Sequence, residues 1–377
     1  MDMKSFLKQL VETESPSSEK AAVDRVGAIV ADEARRLGAD VQSVPVTEAG
    51  NHVIARFPLS GANEMSAVEV AEFNEQKSIL LLCHMDTVYP LGTLEKMPYR
   101  EAGGKIYGPG VLDMKAGIVI SLAAIEALQK SGGLKHPVTL LCTSDEEIGS
   151  LASEDLIKEL AQKSELVLVL ESALLDGSLK TWRKGVGEFW IKVRGRAAHA
   201  GGAHAEGINA IEEMSHQVLA VQQMTDYEKG TTLNVGVIQG GTVSNVVPEE
   251  AIAQVDVRVM QPGEWERLKA EMRALKPVIK GASLEITGGL NRPPMPFDER
   301  ARVTFEKAKS IAAQVGIELK AGGSGGGSDA NFVAPLGIPV LDGLGAVGEG
   351  LHSEREYILA DSLEQRTKLL AALIRNW

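Results

Sequence analysis

The chain has 377 residues, 44% of them hydrophobic and only 4% aromatic, an ordinary globular composition with length enough for two domains. Its formal net charge, 39 − 51 = −12 without a lysine–arginine run, would repel a polyanion, which argues against nucleic acid as a partner. The longest apolar stretches, such as Ile79 to Cys83 and Leu166 to Leu170, fall far short of the roughly 20 residues that span a bilayer.

The N-terminal run MDMKSFLKQLVETESPSSEK scatters charges and lacks the apolar segment of a secretory signal, so a cytoplasmic location is expected. A 3.6-residue period then predicts a helix over Ser18 to Leu37, stopped by Gly38, followed by strands at His52 to Phe57 and Ser78 to Cys83. Between those strands, the acidic stretch at 60–77 has no clear apolar period and reads as a surface excursion. An apolar helix is expected over Ile118 to Leu128, and short apolar strands at Val138 to Thr143, Leu166 to Leu170 and Ile338 to Leu341. Such strands indicate a mostly parallel sheet buried on both faces by helices, an α/β arrangement. Cys83 and Cys142 lie inside these runs, where buried thiols are expected rather than a disulfide.

The middle of the chain has another texture. Strand-like Val186 to Val193, Thr232 to Gln239 and Ala251 to Val259 alternate with helices over Gly207 to Met224 and Glu264 to Leu275, so residues 178–293 read as an inserted α+β domain. After NRPPMPF, a helix from Asp298 to Gly316 and a last helix from Asp361 return the chain to the first domain, which then comprises 1–177 and 294–377. The tract AGGSGGGSDA between helix and apolar segments is expected to be a tight, ligand-facing loop.

Each buried strand runs into acid and histidine: CHMDT, TSDEE and LES follow the strands beginning at Ser78, Val138 and Leu166. In open α/β sheets, ligands bind beyond the carboxyl ends of the strands, so these clusters can converge. In HMD, Asp86 points the same way as His84 and can hydrogen-bond its ring, an arrangement that orients a metal-ligating imidazole. Asp113, in the Gly/Pro-rich turn YGPGVLDMKAG, can bridge two cations. The neighbouring Glu146 and Glu147 would raise each other's pKa unless cations were near. Histidine and carboxylate ligands without thiolate favour catalytic zinc, with Co2+ or Mn2+ as substitutes.

HMDTV, YGPGVLDMKAG, TSDEEIGS, LES, GRAAHAG and LHSEREYI stand in the order and approximate spacing of one family of di-zinc hydrolases. That family includes bacterial glutamate carboxypeptidases, aminoacylases, acetylornithine deacetylases and succinyl-diaminopimelate desuccinylases, and HMDTVYPLG, EEIGS and GGGSDA most resemble the glutamate carboxypeptidases. The resemblance implies two Zn2+ per subunit, one on His84, Asp113 and Glu171, the other on Asp113, Glu147 and His352. It makes Glu146 the general base, Asp86 the residue that orients His84, and His199 an oxyanion donor reaching across a homodimer formed by the inserted domain. The two chain crossings near Gly177 and Arg292 lead us to expect hinge motion of that domain as a lid. Arg292 matches the family's carboxylate-binding arginine, with Asn245 and the backbone around Gly327 and Ser328 as weaker candidates for substrate contact. A cis peptide between Asp113 and Met114 is implied as well. The expected substrate is a small peptide or N-acyl amino acid, cleaved to release a C-terminal amino acid, glutamate favoured. The alternatives are an acetyl or succinyl deacylase with the same mechanism, and a non-catalytic dimeric binding protein.

His52, His136 and His216 have no acid at metal-ligand spacing and are expected in surface or turn roles. His204, where the compared carboxypeptidases tend to have proline, is expected in a solvated loop.

Overall fold

The structure, a computed structural model, describes residues 1–59 and 77–377. The acidic stretch, apart from Lys77, lies outside the described residues. Two compact units result: Met1–Trp182 with Phe297–Gly323 and Ser328–Trp377, and Arg183–Pro296 with Ser324–Gly327.

The first unit is built on a six-stranded sheet in the order Asp40–Val44, His52–Phe57, Val138–Thr143, Ser78–His84, Ser164–Val169, Val340–Leu341. The sequence SILLLCH sits centrally because it is apolar on both faces, and it runs parallel to both neighbours, with Leu81 level with Leu140 and Leu168. Val340–Leu341 continues the parallel part, while the first two strands are antiparallel. Alternate residues divide the burial. Ile79, Leu81 and Cys83 join a core shared with the helix Ala116–Lys130, and Leu80 and Leu82 are buried on the opposite face.

That helix, AGIVISLAAIEALQK, is apolar around most of its circumference because the helix Ser362–Asn376 also packs on it. Its Gly117 is required by closeness, since a Cβ there would come within 2.3 Å of the carbonyl oxygen of Leu170. This contact sets the helix against the strand end that carries Glu171. Both cysteines are free and buried. The helices Lys20–Arg36 and Glu299–Gln314 occupy the stretches where periodicity placed them, the latter capped by the Asp298 carboxylate on the Ala301 N–H.

The second unit holds a four-stranded antiparallel sheet in the order Thr232–Gly240, Glu250–Val259, Gly185–Arg194, Ser283–Arg292. Strict alternation along EAIAQVDVRV buries Ala251, Ala253, Val255, Val257 and Val259 on one face. Residues from the helices Ala210–Gln222 and Glu264–Ala274 join that core, where Trp265 stacks on Phe189 at 5.0 Å. The architecture is therefore a mostly parallel, helix-covered sheet accompanied by an α+β unit.

His52 differs from expectation. It opens a strand and is buried, with Nδ1 3.0 Å from the Ser144 hydroxyl, and burial lowers its pKa. His136 pairs with Glu165 at 2.9 Å, while His204 and His216 are exposed.

Candidate metal centre

The register of the parallel strands sets His84 level with Thr143, so the segments that follow, Met85–Thr87 and Ser144–Glu147, leave the same edge of the sheet. Glu171 follows the third parallel strand two residues past Val169. His84 Nε2 lies 3.1 Å from Asp113 Oδ1 and 3.5 Å from Glu171 Oε1. His352 Nε2 lies 3.2 Å from Asp113 Oδ2 and 3.2 Å from Glu147 Oε2. Asp113 thus turns one oxygen to each of two clusters, each made of an imidazole and a further carboxylate. His84, Asp113 and Glu171 are buried; the His352 side chain remains 53% exposed and forms the outer wall.

Asp86 does more than its place beside His84 suggested. The His84 ring Nδ1 is 3.0 Å from the Asp86 carbonyl oxygen and 3.4 Å from its carboxylate. That carboxylate, fully buried, accepts from the Ser17 hydroxyl at 2.7 Å and from the backbone N–H groups of Glu146 and Glu147 at 3.2 and 3.1 Å. It therefore ties the His84 segment to the 3-10 turn Glu146–Ile148. The peptide between Asp113 and Met114 is cis. His352 has φ 57°, a left-handed conformation that histidine tolerates better than most residues and that a rigid turn must hold.

Two residues escaped the sequence reading. Glu356 is fully buried and accepts from the N–H groups of Gly110, Leu112 and Asp113; Tyr89 donates its hydroxyl to the same carboxylate. The available signal was the position of Glu356 within LHSEREYI, four residues past His352.

The donor set suits divalent cations. His84, Asp113 and Glu147 each present a ligand atom within 4.8 Å of the others, and Glu147 Oε1 is buried with no hydrogen-bond partner among the described residues. Burial alone would depress His84, yet contacts with Asp113, Asp86 and Glu171 push its pKa well above the ordinary value. Hydrogen bonds to Asp113 and Glu147 push His352 up to about 10. Burial opposes ionisation of Asp113, but the two imidazoles hold it well below the usual carboxylate range; burial pushes Glu147 up. With its pKa at about 10, the His352 imidazole carries a proton at pH 7 without metal, and a cation must displace it. Zinc binding to chelator-treated protein should release protons at pH 7 and tighten as pH rises, measured by calorimetry in buffers of different ionisation heat. A proton count near zero would contradict this assignment.

All but one of the other residues singled out from the sequence as substrate contacts or oxyanion donor belong to the second unit. His199, exposed, lies on the short strand Ala198–His199, and its Nδ1 accepts from the Gly201 and Gly202 N–H groups at 3.1 and 2.9 Å. Those bonds leave Nδ1 as acceptor and place the ring proton on Nε2. Asn245, also exposed, accepts through its backbone carbonyl from the Ala200 N–H at 2.9 Å and so anchors the turn after His199. Arg292 is buried, and its stem lies against Gly327, where a Cβ would come within 2.8 Å of Arg292 Cδ. Ser328 lies in the first unit. It is fully buried, its hydroxyl donates to Asp342 at 2.8 Å and its N–H to Asn331 at 2.9 Å, so both groups are committed to the loop itself.

Fold and site together define a metal-dependent hydrolase built on a mostly parallel sheet. Residues 80–376 match the peptidase family M20/M25/M40, and the chain belongs to that family and is a hydrolytic enzyme. It is similar to carboxypeptidase G2 of Pseudomonas sp. (strain RS-16), 33% identical over 309 residues that cover 80% of this chain and 74% of that protein. A succinyl-diaminopimelate desuccinylase of Magnetococcus marinus is 28% identical over 72% of this chain and 75% of its own length. Among solved structures, aminopeptidase PepT of Bacillus cereus superposes with a TM-score of 0.80 at 23% identity, covering 99% of this chain and 97% of that one, a likeness of fold. No helix among the described residues is long and apolar enough to cross a membrane.

Proposed function

We propose that this enzyme hydrolyses an amide bond to release a C-terminal amino acid, glutamate favoured, from a peptidyl or N-acyl donor. The observation that carries the reading is Asp113 shared between the His84–Glu171 and His352–Glu147 clusters, with Glu146 on the turn held by Asp86. His84, Asp113 and Glu171 would hold one Zn2+, and Asp113, Glu147 and His352 a second, with Co2+ or Mn2+ able to substitute. Such ions supply Lewis acidity and lower the pKa of water toward neutrality. Glu146 takes the proton of the attacking water and returns it to the leaving amine. His199, carrying its proton on Nε2, donates to the carbonyl oxygen as negative charge develops there. Arg292 offers a planar fork to the substrate carboxylate. Glutamate is favoured by the resemblance of HMDTVYPLG, EEIGS and GGGSDA to the glutamate carboxypeptidases.

A second reading keeps this chemistry and changes the donor to an acetyl or succinyl amino acid; the likeness to a succinyl-diaminopimelate desuccinylase supports it. Chelated enzyme should lose all amidase activity and regain it with zinc, and a panel of glutamyl peptides against acetyl- and succinyl-amino acids should rank the two donors. Full turnover in chelator would overturn the metal chemistry under both readings.

The second unit is read as the lid and dimerisation domain. Its edge strand Thr232–Gly240 exposes Val237 and Ile238, and the helix Ala210–Gln222 exposes Ile211 and Leu219, an apolar edge of the kind that proteins cover. In that dimer His199 would serve the partner's site, within a soluble cytoplasmic enzyme. Light scattering should show a dimer for the native chain and a monomer for Ile238→Glu; a native monomer at micromolar concentration would refute it.

A further inference from the structure

The Asp113 turn is supported from beneath by a single carboxylate. Glu356 Oε1 accepts from the N–H groups of Leu112 at 2.7 Å and Asp113 at 3.0 Å. Its Oε2 accepts from the Gly110 N–H at 3.1 Å and the Tyr89 hydroxyl at 2.6 Å. Four donors fill the acceptor positions of a side chain that is fully buried. Without it, three N–H groups of one buried turn would lose this partner.

The same carboxylate belongs to the turn that carries His352. The Glu356 N–H donates to the Ser353 carbonyl at 3.1 Å, and the Tyr89 hydroxyl also lies 3.0 Å from that carbonyl. Tyr89 in turn stands three residues past Asp86, on the segment that begins at His84. One buried pair therefore links three ligand-bearing segments: those of His84, Asp113 and His352. The Asp113 turn has little freedom to settle elsewhere, because Gly110 has φ 70° and a Cβ there would stand 2.6 Å from Thr87 Cγ2.

A neutral side chain cannot do the same work. Glutamine has one acceptor oxygen, and its amide N–H2 would face at least one backbone N–H in either orientation, so at least one of the four bonds would be replaced by a donor–donor contact.

We propose that Glu356, braced by Tyr89, is the positioning residue for Asp113, and that it sets the affinity of both metal ions at once. The inference rests on the proposed metal roles of Asp113. Because Asp113 faces both clusters, a misplaced Asp113 backbone weakens both ions, whereas a residue acting only through His352 would weaken one.

The test is calorimetric titration of chelator-treated native protein, Glu356→Gln and Tyr89→Phe with Zn2+, together with the absorption spectrum of each Co2+-loaded form. Glu356→Gln should weaken both ions by roughly 10–100-fold, the range found when partners that orient metal ligands are removed. Tyr89→Phe should weaken both by less. At saturating Co2+ the Glu356→Gln spectrum should be altered and kcat reduced with KM nearly unchanged. Wild-type affinity for both ions in both variants overturns the proposal, as does a loss confined to one ion. Should Glu356→Gln fail to fold, Tyr89→Phe decides alone, since it retains the carboxylate and its three N–H bonds. Native protein that binds no divalent ion would instead overturn the underlying metal reading.

Discussion

Replacing Glu146 by alanine should lower kcat by about 10³-fold, within the 10²–10⁴-fold range of a general base, while two metal ions per subunit stay bound. The separation of roles follows from the turn. Glu146 and Glu147 are consecutive in the 3-10 turn Glu146–Ile148, where about three residues complete a turn and adjacent side chains diverge by roughly 120°. With Glu147 directed to His352 at 3.2 Å, Glu146 leaves in another direction from the same rigid support. The Asp86 carboxylate holds both backbone N–H groups, so a change at residue 146 leaves the Glu147 backbone where it was. Kinetics and metal analysis on the same preparation check this; loss of metal together with activity would make Glu146 a ligand instead.

Asp113→Ala should remove both ions and all measurable turnover, whereas Glu171→Ala should weaken one ion more than the other. The asymmetry arises because Asp113 Oδ1 and Oδ2 face different histidines, at 3.1 and 3.2 Å, while Glu171 stands beside His84 at 3.5 Å. Removing Asp113 takes one carboxylate oxygen from each cluster and leaves each with a single imidazole and a single further carboxylate, too few ligands to retain an ion at ordinary concentrations. Metal content after gel filtration decides it. Retention of one full equivalent by Asp113→Ala would show that the two clusters act separately.

Much of the first unit could be read from the chain because its strands are apolar on both faces and bounded by turns. His52–Phe57 and Val138–Thr143 begin and end where periodicity placed them. The clustering of His84, Glu147 and Glu171 was visible because parallel strands deliver their carboxyl ends to one edge, a rule that needs no coordinates. Asp113 and His352 were placed by motif alone, since neither follows a long strand. Other features were hidden for physical reasons. Met3–Glu12 and Glu154–Gln162 are short, and Ser283–Arg292 contains a Gly-Gly pair that breaks the strand pattern. Glu356 was invisible because its partners are backbone N–H groups more than 240 positions away, and a lone glutamate in LHSEREYI looks solvated.

The division of the first unit into separate stretches of chain bears on how the protein is made. Its sheet needs Val340–Leu341 alongside Ser164–Val169, and its cluster needs His352, 352 − 84 = 268 positions after His84. During synthesis the amino-terminal stretch emerges first and must wait, its parallel strand edge uncovered, while the second unit is translated. Ribosome-bound chains ending before residue 340 would then be the species most in need of a chaperone, and metal capture would mark the end of folding rather than its beginning.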